Sequence, residues 1–499
     1  MDKDLLYLPQ RCHAVLPFDG RLVTITRGDS GYQLSPLDKG SRTENRIIAD
    51  EMNAKLGGVT PEQEKDMIDG AIFGWELLLY RNGGLLPKDK VLQVKISGTG
   101  HESYNTAVSL SMPATWAEFH DALQKARIKD GRTCRNVLSQ VRRKDLPVKC
   151  IGPNVNLYEL NLLAQRLAWQ AKDQKICFEG MLKIEQERTP GVIPLPRLIN
   201  LTFNLDNCCV AAGVKDDKAL GRFLYENEML SDEAFQLIDA EGLDSGYADE
   251  LLAVLGKKHR EGVGGVFTRH GYLEAAGGDF QEVYVPGEMA YFLRTDAPVV
   301  LEVSKGFFND PRCDNNLAAG LDLPASDNAI WRAAEAVDAA APKECCYHCT
   351  ECLIPAAREL IDAAIDDAGD IKPANEFARL LNERRRHWGE EDQIKYKALL
   401  EASGCASLQD ATQLMQGLEQ YELLPEISSS WSYAERKLRE KYPDLPEALF
   451  QTGQSAQIGE QMLAEDHAVL TDYGLLRRKD GQPLPDLRQD AGGITQRME

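Results

Sequence analysis

Apolar and polar positions fall into the same succession of patterns twice along this chain. Val91-Leu92-Gln93-Val94-Lys95 and Val300-Leu301-Glu302-Val303-Ser304 alternate or run apolar as strands do. Leu110-Ser111-Met112-Pro113-Ala114 answers to Leu321-Asp322-Leu323-Pro324-Ala325, and a helical pattern rich in Ala and Trp follows each. Asn161-Leu162-Leu163-Ala164 then pairs with Asn375-Glu376-Phe377-Ala378, and Phe178-Glu179-Gly180-Met181-Leu182 with Tyr396-Lys397-Ala398-Leu399-Leu400. Finally Val266-Phe267-Thr268-Arg269-His270-Gly271-Tyr272-Leu273 returns as Val469-Leu470-Thr471-Asp472-Tyr473-Gly474-Leu475-Leu476. The spacing is too long for a solenoid and predicts a duplicated domain.

Start signals sharpen this plan. Thr115-Trp116-Ala117-Glu118 has the capping-box spacing and opens a predicted helix to about Lys129. Asn156 opens another to Trp169, with Leu160, Leu163, Ala164 and Leu167 as its buried face. Further helices are expected over Pro196–Asn204, Lys218–Met229, Ala374–Arg386 and Ser407–Tyr421.

The predicted fold class is α+β, a multidomain chain of small mixed α/β modules. Residues 1–88 form an N-terminal α/β appendage, 89–290 the first unit, 297–480 the second and 481–499 a disordered tail. Within the appendage, Ala14–Leu16 and Arg21–Ile25 suggest a hairpin, Gly31–Leu34 a further strand, and Asn45 and Thr60 the starts of helices.

A chain of 499 residues has no run of eighteen apolar residues and no basic, apolar leader at Met1, so a cytoplasmic location and no membrane partner are expected. Twelve scattered cysteines point to reduced thiols rather than a secreted disulfide framework. The net charge is −21, and residues 291–499 hold 37 acids against 22 bases. Such a surface argues against direct binding of nucleic acid, whose phosphates require Lys and Arg.

Signals for catalysis are sparse. There is no phosphate-binding GxxxxGK[ST] loop, no HExxH and no GxSxG elbow, and Gly262-Val263-Gly264-Gly265 precedes a strand, as a turn does. No enzyme activity and no cofactor are expected. Cys345, Cys346, His348, Cys349 and Cys352 form the one local cluster of soft ligands, but no second CxxC completes a zinc site, which favours ordinary thiols.

Carboxylates are the stronger signal. From Phe223 to Gly256 there is no Lys or Arg, while Glu226, Glu228, Asp232, Glu233, Asp239, Glu241, Asp244, Asp249 and Glu250 all occur. In the second unit Glu359, Asp362, Asp366 and Asp370 are spaced to share one helical face. Rows of this kind are either a solvated face or a mimic of the phosphate spacing of duplex DNA.

Glu159-Leu160-Asn161-Leu162-Leu163-Ala164, Leu220-Gly221-Arg222-Phe223-Leu224-Tyr225-Glu226-Asn227, Leu237-Ile238-Asp239 and Gly265-Val266-Phe267-Thr268-Arg269-His270-Gly271-Tyr272 occur in this order. The set resembles the ArdA antirestriction proteins, acidic DNA mimics of conjugative elements that occupy the DNA-binding site of type I restriction–modification enzymes. The resemblance implies two ArdA-like units in tandem, a restriction–modification enzyme as protein partner, and either a monomeric pseudo-dimer or a homodimer. It also implies target contact by the nine acids of 226–250, joined by Asp362, Asp366 and Asp370. The basic stretch from Lys125 to Lys149 departs from such a surface and is expected to face away from the target or to pair with the acidic second unit.

Overall fold

The computed structural model describes strands within 13–36 and most of 90–488, apart from 99–106, 145, 169, 171, 206–207, 242–245, 277–279, 281, 287–296, 306–317, 447–449 and 451–452. In the N-terminal region β1 (His13–Phe18), β2 (Arg21–Gly28) and β3 (Gly31–Pro36) form an antiparallel meander, as the hairpin pattern predicts. The helices expected from Asn45 and Thr60 lie outside the described residues. No described helix is long and apolar enough to cross a membrane.

The first unit opens with β4 (Leu92–Ser97) between β5 (Val108–Met112) and β6 (Arg135–Val141), both antiparallel to it. Leu92, Val94 and Ile96 point into one core, following the period-two pattern. Helix α1 (Trp116–Lys125) begins at the predicted capping box, where the Thr115 hydroxyl accepts from the Glu118 backbone and the Glu118 carboxylate accepts from Thr115. It stops short of Lys129 because Arg127 turns left-handed at φ 55°. Helices α2 (Leu157–Ala168), α3 (Lys172–Arg188) and α4 (Leu195–Phe203) complete this core around Leu160, Leu163, Phe178, Leu198 and Ile199.

A second small sheet has β9 (Gly271–Ala275) between β7 (Cys208–Ala212) and β8 (Val266–Phe267). Helices α5 (Asp217–Glu226), α6 (Asp232–Glu241) and α7 (Gly246–Val263) accompany it. Packing of α3 on β7 brings Cys177 and Cys208 together as a disulfide, Cα atoms 6.3 Å apart, where the cysteine count pointed to free thiols. The Gly-rich segment after α7 is the expected turn: Gly264 is left-handed at φ 69°, and Gly265 lies against the Tyr272 ring where a Cβ has no room.

The second unit repeats the plan. Strand β10 (Val299–Lys305) lies between β11 (Ala318–Leu323) and β12 (Cys345–Cys352), and β15 (Gly474–Arg478) between β13 (Tyr421–Leu424) and β14 (Val469–Thr471). Its helices are α8 (Asp327–Ala336), α9 (Arg358–Ala368), α10 (Lys372–Arg385), α11 (Glu390–Ser403), α12 (Leu408–Gln416), α13 (Ser430–Lys441) and α14 (Gly453–Glu465). The mixed α/β class and the small three-stranded modules thus agree with the sequence reading.

Equivalence of the units extends to single bonds. The Asn161 side-chain amide accepts from the Ala114 backbone N–H at 2.7 Å and donates to its carbonyl at 3.0 Å; Asn375 does the same to Ala325 at the same distances. Both segments follow a cis proline, Pro113 or Pro324. At the closing hairpins the Thr268 and Thr471 hydroxyls donate to the carbonyls of Gly271 and Gly474 at 2.9 and 2.8 Å, and both glycines have positive φ.

One expectation is corrected in the tail. Residues 481–488 are not free: Leu484 and Leu487 pack on the second core, and the Leu487 N–H donates to the Ser403 carbonyl at 2.9 Å. Residues 489–499 lie outside the described residues.

Among the described residues, helix α1 and Arg127 just beyond it join the units. Helix α1 sends Phe119 and Leu123 into its own core and presents Glu118, Asp121 and Gln124 to the second unit. Arg358 donates to Glu118 at 2.5 Å, Lys397 pairs with Asp121 at 2.9 Å, and the Tyr473 hydroxyl donates to Asp121 at 2.6 Å. Lys397 also donates to Gln124 at 2.9 Å, and Arg127 to the Ile427 carbonyl at 3.1 Å. The front of the basic stretch thus engages the second unit. The corresponding helix α8 packs on β10 and β11 of its own sheet and leaves Arg332, Glu335 and Ala336 exposed.

Candidate functional site

The acidic segment of the first unit is built on two helices locked backbone to backbone. A Cβ on Gly221 of α5 would lie 1.9 Å from the Leu252 carbonyl oxygen, and one on Gly256 of α7 would lie 1.9 Å from that of Asp217. Two glycines facing each other across the crossing let α5 and α7 pack with no room for a Cβ at either position, and the Arg260 guanidinium clamps Asp217 at 2.7 and 3.2 Å beside it. Leu220, Leu224, Ile238, Ala248 and Leu252 are buried, so the acids that alternate with them are turned outward.

The structure divides the predicted contact residues. Glu226, Glu228, Asp232, Glu233, Asp239 and Glu250 are exposed, on α5, α6, α7 and the turn after α5. Glu228 occupies that turn with φ 55°. Hydrogen bonds from its own backbone and from Ser231 hold the Glu233 carboxyl below its ordinary pKa. Asp239 accepts the Tyr225 hydroxyl, a bond that raises the pKa of the phenol.

Asp249 is half-buried and already committed, 2.6 Å from Lys218 and 3.7 Å from Arg222. The two cations lie just before the base-free segment, and the α5–α7 packing folds them back onto it. Glu241 closes α6, and Asp244 lies outside the described residues.

In the second unit the acids do not form one free face. Asp362 ties α9 to β12, accepting the Cys349 N–H at 2.6 Å and lying 2.8 Å from His348 Nδ1. Asp370 lies beyond the helix, which ends at Ala368 with Gly369 left-handed, so the predicted shared helical face stops at Asp366. Asp370 instead receives the Lys372 ammonium at 2.9 Å and its N–H at 3.1 Å, which lower its pKa. Glu359, Asp366 and Asp367 remain exposed.

Four large apolar side chains stand exposed along the first acidic segment: Met229, Leu237, Tyr247 and Val254, between 43 and 62 % accessible. The sequence pattern there signals only the charges, because single exposed apolar residues carry no periodic mark. The surface as folded combines carboxylates with apolar side chains, the mixture that gives contact area as well as charge to a protein-binding face.

The cysteine cluster is part of a core. Cys349 and Cys352 are fully buried against Ile354 and Ile361, where desolvation pushes the Cys352 thiol up to about 12 and Cys349 higher still. Burial also raises the Cys345 thiol. Protonated thiols are poor ligands and nucleophiles. Among the described residues no group of three His, Cys, Asp or Glu side chains is placed to hold a metal ion.

A cleft lies at the join between the units, lined by Lys125, Lys397, Glu401, Cys405, Asp472 and Tyr473. At its base, burial opposes ionisation of Asp121, but Lys397, Lys125 and the Tyr473 hydroxyl outweigh it and hold the carboxyl below its ordinary pKa. Burial draws the Lys397 ammonium down, with Asp121 opposing. Asp121, Lys397 and Tyr473 bind one another across the join and so hold the units together. Comparison with protein families, with curated proteins and with solved structures finds no match.

Proposed function

We propose that this chain is an antirestriction DNA mimic, a binding protein without turnover that occupies the DNA-binding site of a type I restriction–modification enzyme in the cytoplasm and so protects a mobile element. The observation that carries the reading is the exposed set Glu226, Glu228, Asp232, Glu233 and Glu250 on a segment with no Lys or Arg. Such carboxylates take the place of phosphates opposite the target's basic groups. The ArdA-like motifs support it, since Leu220–Asn227 and Leu237–Asp239 lie on the helices that carry this surface. Asp249, Asp362 and Asp370 are reassigned to internal pairing.

The test is competition between the purified protein and labelled DNA for the DNA-binding core of a type I restriction enzyme, at low and physiological salt. Displacement near stoichiometric protein, weakening steeply with salt, is the expected result; no displacement at either salt overturns the reading. A second reading, a non-catalytic scaffold of a conjugative element, is favoured by Met229, Leu237, Tyr247 and Val254, which give a partner an apolar surface that duplex phosphates do not present. Partner capture that survives high salt and does not compete with DNA selects it.

A further inference from the structure

The rear of the basic stretch takes no part in the joint. Lys125 and Arg127 engage the second unit, whereas Arg132, Arg135, Arg142, Lys144 and Lys149 stand exposed beyond them. Among the described residues none of these five side chains forms an ion pair or a hydrogen bond, and Arg132 alone makes a ring contact, over Tyr158. From Gly131 to Tyr158 the only acid is Asp145, which lies outside the described residues. In a chain with 78 acids, a run of unpaired bases asks for an external anion.

Strand register sets part of this charge on an open sheet face. Leu92, Val94 and Ile96 point into the core, so Gln93 and Lys95 of β4 point the other way. Opposite residues of paired strands share a face, which adds Ser109 and Ser111 from β5 and Val137 and Gln140 from β6. Arg135, two residues before Val137, lies on the same side. Lys95, Ser109, Arg135 and Gln140 are exposed, and Val137 is 59 % accessible. In the second unit the positions equivalent to Gln93 and Lys95 are Glu302 and Ser304, buried at 7 and 6 %. The open basic face is thus a feature of the first unit and not a by-product of the repeated plan.

The composition of the face selects its partner. A protein-binding face needs apolar contact area, and Val137 is the one large apolar side chain standing out here, against four on the acidic segment. No aromatic side chain lies on this face to stack unpaired bases, which disfavours a single strand. Arg, Lys, Ser and Gln are the side chains that hold the sugar–phosphate backbone of a duplex. The net charge of −21 conceals this face, but at physiological salt exposed charges more than about 8 Å apart are largely screened from one another. We propose that the outer face of the β5–β4–β6 sheet, with the chain from Arg142 to Lys149 that leaves it, binds the phosphate backbone of duplex DNA without reading its sequence. This second binding site is built on other elements than the acidic one and does not depend on the antirestriction reading.

Fluorescence anisotropy of a short labelled duplex titrated with the full-length protein tests it, with no restriction enzyme present, so that failure here leaves the antirestriction reading untouched. The wild type is expected to bind duplexes of unrelated sequence alike. Its affinity is expected to fall roughly a hundredfold between about 50 and 200 mM salt, since four neutralised phosphates each add about 0.9 to the log–log salt slope. Replacing Lys95, Arg135, Arg142 and Lys144 together by Ala is expected to weaken binding at the lower salt by roughly tenfold or more and to flatten the slope by about 1 per base removed. Replacing Lys215, Lys258, Lys343 and Lys479 by Ala takes the same charge from exposed positions elsewhere and is expected to leave binding within about twofold of the wild type. Should the first quadruple variant lose its circular-dichroism signature, Arg142→Ala with Lys144→Ala, beyond the end of β6, replaces it, with a flatter slope again expected. No binding by the wild type at the lower salt, a variant of the face that binds as the wild type does, or an equal loss in the control variant each overturn the proposal. Tighter binding to polyglutamate than to the duplex overturns it in favour of an acidic protein partner.

Discussion

The Lys397 ammonium of the second unit lies 2.9 Å from the Asp121 carboxylate of the first, with side chains only 5 and 10 % accessible. A pair at this depth recovers its desolvation only while both members are present. Lys397→Ala leaves the carboxylate buried with Lys125 as its nearest remaining cation, at 3.4 Å. The expected loss is about 3 kcal/mol, read from the urea midpoint. The double replacement Lys397→Met, Asp121→Leu is expected to cost much less, because no stranded charge remains.

Acid is expected to loosen the same joint. Asp121 and Glu118 both have carboxyl pKa values lowered below 3.8 and 4.5, in each case against an opposing effect of burial, by Lys397 and by Lys90 respectively among other partners. Groups with depressed folded pKa values stabilise fully above the unfolded value and lose that contribution as pH falls through the folded one. The melting temperature should therefore fall from roughly pH 4 downward, and the Asp121→Asn, Glu118→Gln variant should show a shallower fall over the same window.

The α5–α7 crossing has no space for a methyl group. Gly256→Ala would force the Asp217 carbonyl away, at an expected cost of about 1–3 kcal/mol. If the acidic surface inhibits a restriction enzyme, that displacement should also reduce inhibition. Gly246→Ala, where a Cβ meets open space, is the control that should leave both unchanged.

Among the carboxylates, geometry separates the exposed from the committed. Reversing Glu226, Glu228, Asp232 and Glu250 together to Lys should abolish inhibition of the target and leave the melting temperature nearly unchanged. Asp362→Ala should do the opposite, lowering stability through the lost bond to the Cys349 N–H while inhibition persists. Inhibition assays paired with thermal melts decide both.

How much was legible follows from how one-sided each element is. Strands β4 and β10 and the capping box of α1 could be located because alternation and cap chemistry are local signals. Helix α11 could not be delimited that way, since Tyr396, Lys397, Ala398, Leu399 and Leu400 are buried in succession and leave no helical stripe to read. The same burial hid the joint: a lysine in sequence reads as solvated, and its partner Asp121 belongs to the other unit. The acidic rows were found by composition, but composition does not reveal that Lys218 folds back onto Asp249 or that Gly369 ends the helix before Asp370.

Helix α1 serves both units at once, closing the first core with Phe119 and Leu123 and gripping the second unit through Asp121. A scanning-calorimetry trace should accordingly show the two units melting as one coupled transition rather than as separate peaks, because neither can shed its structure without exposing a face of the helix the other still holds. On that expectation, damage deep in either unit would be transmitted to its neighbour, and the tandem would unfold as a single cooperative body despite its duplicated plan.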